Sequence, residues 1–176
     1  FTKFNFSSGQ ITTSDTQWDV AFRGTSIIIN GGKSLGTIDE PNRTGNAAVY
    51  IANGTMSSIL EIDLAMFLQD SESGYAIATG GGNSWYTYQG PPVNLITPTP
   101  GRILVFRTFD GKYAKMEILS YYKNAHNKEI HPQRIIFFDG VRAEKKCKKL
   151  LDENQCQKLT SQTVDEYELF KHRKED

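Results

Sequence analysis

The alternation of apolar and polar positions is clearest between Gln17 and Gly32. Trp18, Val20 and Phe22 alternate with Asp19, Ala21 and Arg23, the period of two that gives a strand one buried and one wet face. Gly24 interrupts the pattern. Ile27, Ile28 and Ile29 follow with no polar residue between them, which suits a strand covered on both sides. Asn30-Gly31-Gly32 then supplies residues that tolerate the positive φ angles of a tight turn. The stretch predicts two strands joined at a glycine bend, forming the hydrophobic centre of a β domain.

The same reading extends along the first 125 residues. Phe4 to Ile11 reads as a strand with a Ser7-Ser8-Gly9 turn inside it, Ala47 to Ile51 as a strand, and Tyr75 to Thr79 and Trp85 to Tyr88 as two short ones. Lys33 to Asn46 has no periodicity and reads as a long surface loop, of a length that is often functional or mobile. Within Ser57 to Leu68, Leu60, Ile62, Leu64 and Met66 alternate with Glu61, Asp63 and Ala65, which favours a strand over the alternative of a short helix. Gln89-Gly90-Pro91-Pro92 is a turn, and Pro98-Thr99-Pro100-Gly101 breaks any element before the strongest strand, Arg102 to Thr108. Phe109-Asp110-Gly111-Lys112 carries the Asp-Gly signal of a hairpin, and Lys115 to Tyr122 alternates after it. Arg134 to Phe138 reads as a late strand ending at Asp139-Gly140. The predicted class is all-β and antiparallel, with the β domain spanning residues 1–140.

Composition marks where that domain ends. Fourteen of the 15 glycines lie in residues 1–125, whereas 21 of the 40 charged residues lie in the last 51. Residues 141–176 read as a charged, helical C-terminal segment: Ala143, Cys147, Leu150, Leu151 and Asn154 recur at helical spacing among Lys145, Lys146, Lys148 and Lys149. Thr163, three residues before Glu166, suggests a capping box for a second short helix. On one helix, Cys147 and Cys156 would sit about 13.5 Å apart along the axis and on opposite sides, beyond the roughly 7 Å reach of a disulfide. Their spacing, with no histidine nearby, does not read as a zinc site.

Charge narrows the partners. The 20 basic and 20 acidic residues cancel, so no net field draws the chain to nucleic acid or to an anionic membrane. No apolar run approaches the roughly 18 to 20 residues needed to cross a bilayer. The chain begins directly in strand-like sequence, so an export signal or lipid-attachment cysteine is expected upstream of it. No nucleophile elbow, zinc-protease helix, Walker loop or dinucleotide fingerprint is present. Gly80-Gly81-Gly82-Asn83 lacks the lysine and helix of a phosphate loop and reads as a hairpin tip. Glu61 and Asp63 have the spacing of an acid and base pair on one strand face, but such surface pairs are commonplace. The expectation is a binding protein and not an enzyme.

Three blocks, in order, carry a resemblance to a known family. They are Trp18-Asp19-Val20-Ala21-Phe22-Arg23 followed by Asn30-Gly31-Gly32, the loop from Gly80 to Tyr88, and the hairpin from Gly101 to Tyr122. Together they resemble the HmuY family, haem-binding surface lipoproteins of Bacteroidetes bacteria, over about residues 1–125; the C-terminal part does not match. The resemblance implies an HmuY-like β domain that captures haem at the outer-membrane surface or outside the cell and delivers it to a TonB-dependent outer-membrane receptor. In the family's best-known member two histidines on loops at one end of the β structure hold the iron, and relatives substitute methionines or leave one side open.

This sequence departs from that pattern, because it has no histidine between residues 60 and 100. The candidate haem-binding residues are Met66, Trp85, Tyr86 and Tyr88, with Met66 and Tyr86 as the iron ligands, Trp85 as a wall, and Tyr86 and Tyr88 on one strand face as a stacking surface. His126 and His131 are candidates by position just after the resembling region, and His172 lies in the charged tail. The alternative is a surface structural or interaction protein that kept the scaffold, lost the haem site and binds glycan or a protein partner through its tyrosines and glycine-rich loops; a carbohydrate-active enzyme ranks third. The composition break yields one prediction. Truncation after residue 140 should leave cooperative urea unfolding of the β domain intact, and loss of that transition would place the segment in the core.

Overall fold

The computed structural model of the chain describes residues 1–122 and the backbone of a strand at 134–138. The strands are β1 (Thr2–Asn5), β2 (Gln10–Thr12), β3 (Val20–Arg23), β4 (Ser26–Ile29), β5 (Ala48–Asn53), β6 (Tyr86–Gln89), β7 (Leu95–Pro98), β8 (Arg102–Arg107), β9 (Tyr113–Glu117) and β10 (Arg134–Phe138). They form two four-stranded sheets, ordered β2-β1-β3-β4 and β10-β9-β8-β5, and a two-stranded sheet β6-β7. Every pairing is antiparallel. Among the described residues the only helix is a single 3₁₀ turn, Leu64–Met66, and no helix is long and apolar enough to cross a membrane.

The registers show how the sequence makes the core. Val20 lies opposite Ile29 and Phe22 opposite Ile27, while Leu104 lies between Ile51 and Met116, and Phe106 between Val49 and Ala114. These inward faces meet with Phe4 and Phe6 in one buried cluster, so the two large sheets form a sandwich. The outer faces are covered too. Trp18, Ala21 and Ile28 pack under Phe1 and Tyr75, and Tyr50, Ile103 and Val105 pack under Met56, Ile59, Ile62 and Phe67. The unbroken isoleucine run is therefore buried on both sides, as its lack of alternation predicts, at roughly 1.5 to 3 kcal/mol for each side chain.

Two buried polar side chains tie the sheets together. Asp19, 1% exposed, accepts the Phe6 amide on one oxygen at 2.6 Å and the Phe109 amide on the other at 2.8 Å. Phe6 begins the β1–β2 turn and Phe109 lies in the β8–β9 turn, so one carboxylate holds hairpin tips from both sheets. Asn30, fully buried, donates to the Thr16 and Trp18 carbonyls and accepts the Thr44 and Gly45 amides. The chain bends at Asn30-Gly31, with Gly32 at the positive φ of 80° expected of this stretch; a Cβ on Gly31 would lie 1.8 Å from the Ala47 carbonyl oxygen, so that glycine serves close approach. The loop at 33–46 is stapled to the sandwich. Arg43 pairs with Glu40 at 2.6 Å and Asp70 at 2.8 Å, with all three side chains buried, and Asp70 also accepts the Ile29 and Ala76 amides.

Three expected elements differ. Residues 57–68 are not a strand: Leu60, Leu64 and Met66 are exposed, and the segment crosses the outer face of the second sheet. Side chains take the hydrogen-bonding groups that a ladder would use. Lys115 donates to the Met56 and Ile59 carbonyls, Asp63 donates its amide to the Tyr50 hydroxyl, and the Asp63 carboxylate accepts the Ala65 amide. Tyr75 to Thr79 has no strand; Asp70 takes its Ala76 amide while Ile77 enters the core. The second strand of the late hairpin stops at Glu117 instead of Tyr122. The helices and capping box expected within 141–176 lie outside the described residues.

Burial pushes the Asp19 pKa up from 3.8 to about 6, against the Phe109 and Phe6 amides, which pull it down. The folded chain therefore binds this proton more tightly than the unfolded chain. Its contribution to stability is fully present below pH about 4 and is lost as pH rises through about 6. Urea unfolding should show the stability of the wild type relative to Asp19→Asn falling by roughly 2 to 3 kcal/mol between pH 4 and pH 7. A difference that does not change with pH would refute this role.

Candidate functional site

Strands β3 and β8 give the sandwich two distinct ends. Asp19 and Asn30 lie at one end of the β3–β4 hairpin, while its turn, Gly24-Thr25, lies at the other. At that second end Trp85 donates its indole N–H to the Thr25 carbonyl at 3.1 Å, and the Tyr86 hydroxyl lies 3.4 Å from Thr25 Oγ1. Both aromatic side chains are buried in the central core. The small sheet β6-β7 leads away from them toward solvent.

Cross-strand register builds an aromatic face on this hairpin. Tyr86 lies opposite Pro98 and Tyr88 opposite Ile96, so these four side chains share one face. The face passes from buried Tyr86 and half-buried Ile96 to Tyr88, which is 50% exposed. Tyr88 donates to Asn94 Oδ1 at 2.6 Å, and the Tyr122 hydroxyl accepts the Ile96 amide at 2.9 Å. Tyr121 packs its ring 6.2 Å from Trp85 and 5.0 Å from Tyr122. The result is a ledge whose inner edge is fixed by the core and whose outer edge is a half-exposed phenol ring beside an amide. Val93 and Leu95, both exposed, lie along the same hairpin.

The glycine loop has a packing role here. Gly82 donates its amide to the Tyr86 carbonyl at 2.7 Å, and a Cβ on Gly81 would lie 2.8 Å from Tyr88 Cβ and 3.0 Å from its amide nitrogen. The loop lies against β6, and glycine at 81 permits that contact. Ser84, at 2% exposure, has a hydroxyl with no partner among the described residues.

The expected site residues separate into groups. Trp85, Tyr86 and Tyr88 come together at the ledge. Met66 lies on the 3₁₀ turn, 51% exposed, beside Phe67 on the layer covering the second sheet. The fold does not place it with Tyr86, whose hydroxyl faces Thr25. His126 and His131 lie outside the described residues. Among the described residues no group of three His, Cys, Asp or Glu side chains is placed to hold a metal ion. The half-exposed Tyr88 ring nevertheless gives the ledge aromatic surface against which a planar apolar ring system can pack. Its β7 strand, Leu95–Pro98, was not visible in the sequence pattern, where prolines on both sides read as turns.

Comparison with known proteins agrees with this architecture. A family model described as HmuY protein matches residues 1–134. No curated protein matches the chain. The loop contact yields a prediction for the ledge: Gly81→Ala should cost roughly 1 to 3 kcal/mol by overpacking. Urea unfolding reports that loss, and unchanged stability would show that the loop has room to move away.

Proposed function

The chain belongs to the HmuY family, and from that membership we propose that it binds haem against the β6-β7 ledge and hands it to a TonB-dependent outer-membrane receptor. The reading includes export and a lipid anchor upstream of this sequence, and a binding role without catalysis. One observation carries the placement: the half-exposed Tyr88 continues a face anchored by Trp85 and Tyr86 in the core.

Bound haem supplies an iron centre within a flat, largely apolar ring. The chain contributes the rest. Tyr88 stacks on the ring, a contact worth roughly 0.5 to 1.5 kcal/mol beyond area burial, and Asn94 fixes the phenol through the 2.6 Å hydrogen bond. Ile96 and Val93 supply apolar surface. Tyr88 is the more exposed of the two tyrosines, so it replaces Tyr86 as the phenolate candidate, a role that would take the place of stacking and of the Asn94 hydrogen bond. Met66 remains a sulfur donor only if haem binds against the 3₁₀ turn. A second reading, a surface interaction protein without haem, is favoured by the lack of any histidine between residues 60 and 100.

Titration of ferric haem into the full chain should produce a shifted Soret band. Tyr88→Ala should weaken binding roughly tenfold through lost stacking and apolar contact, and Tyr88→Phe should alter the ferric spectrum if the phenolate is the ligand. Met66→Ala should weaken ferrous binding more than ferric only if the sulfur is the ligand. Haem binding indifferent to Tyr88 moves the site away from the ledge, and no Soret shift supports the second reading.

A further inference from the structure

A cleft lies at the other end of the sandwich, between the hairpin tips that Asp19 holds side by side. Asn5, Ser7, Ser8, Thr12, Gln17, Phe109, Asp110 and Lys112 line an open cleft of roughly 470 Å³ there, within the size range of small-molecule sites. Its frame is fixed. Asp19 accepts the Phe6 and Phe109 amides, and the Asn5 side chain accepts the Ser8 amide while donating to the Gln17 carbonyl.

The chemistry of the lining selects a ligand class. The Ser7 hydroxyl and the Gln17 side-chain amide are exposed and make no hydrogen bond to the described residues. Thr12 Oγ1 accepts the Ser14 amide and keeps its own proton to donate. Donors and acceptors are thus mixed in the lining, as vicinal hydroxyl groups require. Phe109, half-buried in the lining, offers an aromatic surface against which sugar C–H groups can pack. Lys112 pairs with Asp110 at 3.0 Å, so the mouth carries compensated charge and gives no preference for an anion. A single carboxylate at the mouth is too few for a divalent cation site.

We infer that this cleft binds a neutral saccharide, one or two pyranose rings in size, through Ser7, Thr12 and Gln17 with a ring face against Phe109. The site shares none of the ledge tyrosines and does not depend on haem binding.

The test is an amide NMR titration of the full chain with three separate probes: methyl β-glucoside, methyl β-galactoside and N-acetylglucosamine. At least one should give saturable, millimolar shifts at Ser7, the Gln17 side chain and Phe109. Gln17→Ala and Phe109→Leu should each weaken that binding roughly tenfold, the loss of one to two hydrogen bonds or of ring contact, with unchanged amide spectra elsewhere. Tyr88→Ala should leave it unaltered. No saturable shift from any probe, saturable shifts confined to other residues, or affinity unchanged in both cleft variants would overturn the assignment.

Discussion

One buried carboxylate sets the geometry on which the other features rest. Asp19 bonds amides from residues 13 and 90 positions away, so it closes two long loops of chain at a single point. Burial of a charge is costly, and here the elevated pKa records that cost. The arrangement persists because the alternative leaves two amides at hairpin tips without acceptors. Asn30 repeats the logic beside it: its own amide bonds the Asp19 carbonyl while its side chain gathers Thr16, Trp18, Thr44 and Gly45. Polar side chains at this end do the joining that apolar contacts do between the sheets.

A sandwich fixed in this way leaves its ends free to differ. The Asp19 end presents hydroxyls, amides and a neutralised ion pair around a cleft. The Thr25 end presents aromatic rings, because Trp85 and Tyr86 fill the space under the β3–β4 turn and carry the small hairpin outward. The two-stranded β6-β7 sheet would be marginal alone. It is held by Tyr122, which accepts the Ile96 amide, and by the Thr99 amide bonded to the Trp85 carbonyl. Its order is therefore borrowed from the core, and its exposed ring can vary without disturbing the sandwich.

The legible parts of the fold are those where periodicity is enforced locally. The strand around Val20 and the Asp-Gly hairpin follow from alternation and turn chemistry over a few residues, and the strand around Ile28 from its unbroken β-branched run, although the Asp19 and Ala21 face, expected to be wet, is buried. Residues 57–68 share that alternation but not its cause. Thr55 and Asp63 cap local turns there, and Tyr50 and Lys115, distant in sequence, take the Asp63 amide and the Ile59 carbonyl, so alternation alone does not reveal the outcome. The site shows the same division. Trp85, Tyr86 and Tyr88 stand out as aromatics in a glycine-rich context, yet nothing local separates Tyr86 from Tyr88. They share a strand face, and only the position of Thr25, about 60 residues earlier, makes one a core ring and the other half-exposed.

Asp19 and Asn30 were hidden for the opposite reason. In sequence Asp19 occupies the wet phase of an alternating strand, and Asn30 looks like a turn residue. Burial reverses both meanings, because a carboxylate or amide removed from water must find partners, and the partners it finds decide which loops meet. The Trp18-Asp19 pair thus has two functions in one turn of pleat: the indole fills the outer layer of the first sheet while the carboxylate reaches across to the second. The resemblance carried by this stretch is a resemblance of joinery. In this chain it closes the sandwich at one end, and it leaves the surface at the other end to Tyr88, Asn94 and Ile96, whose identities the closure does not constrain.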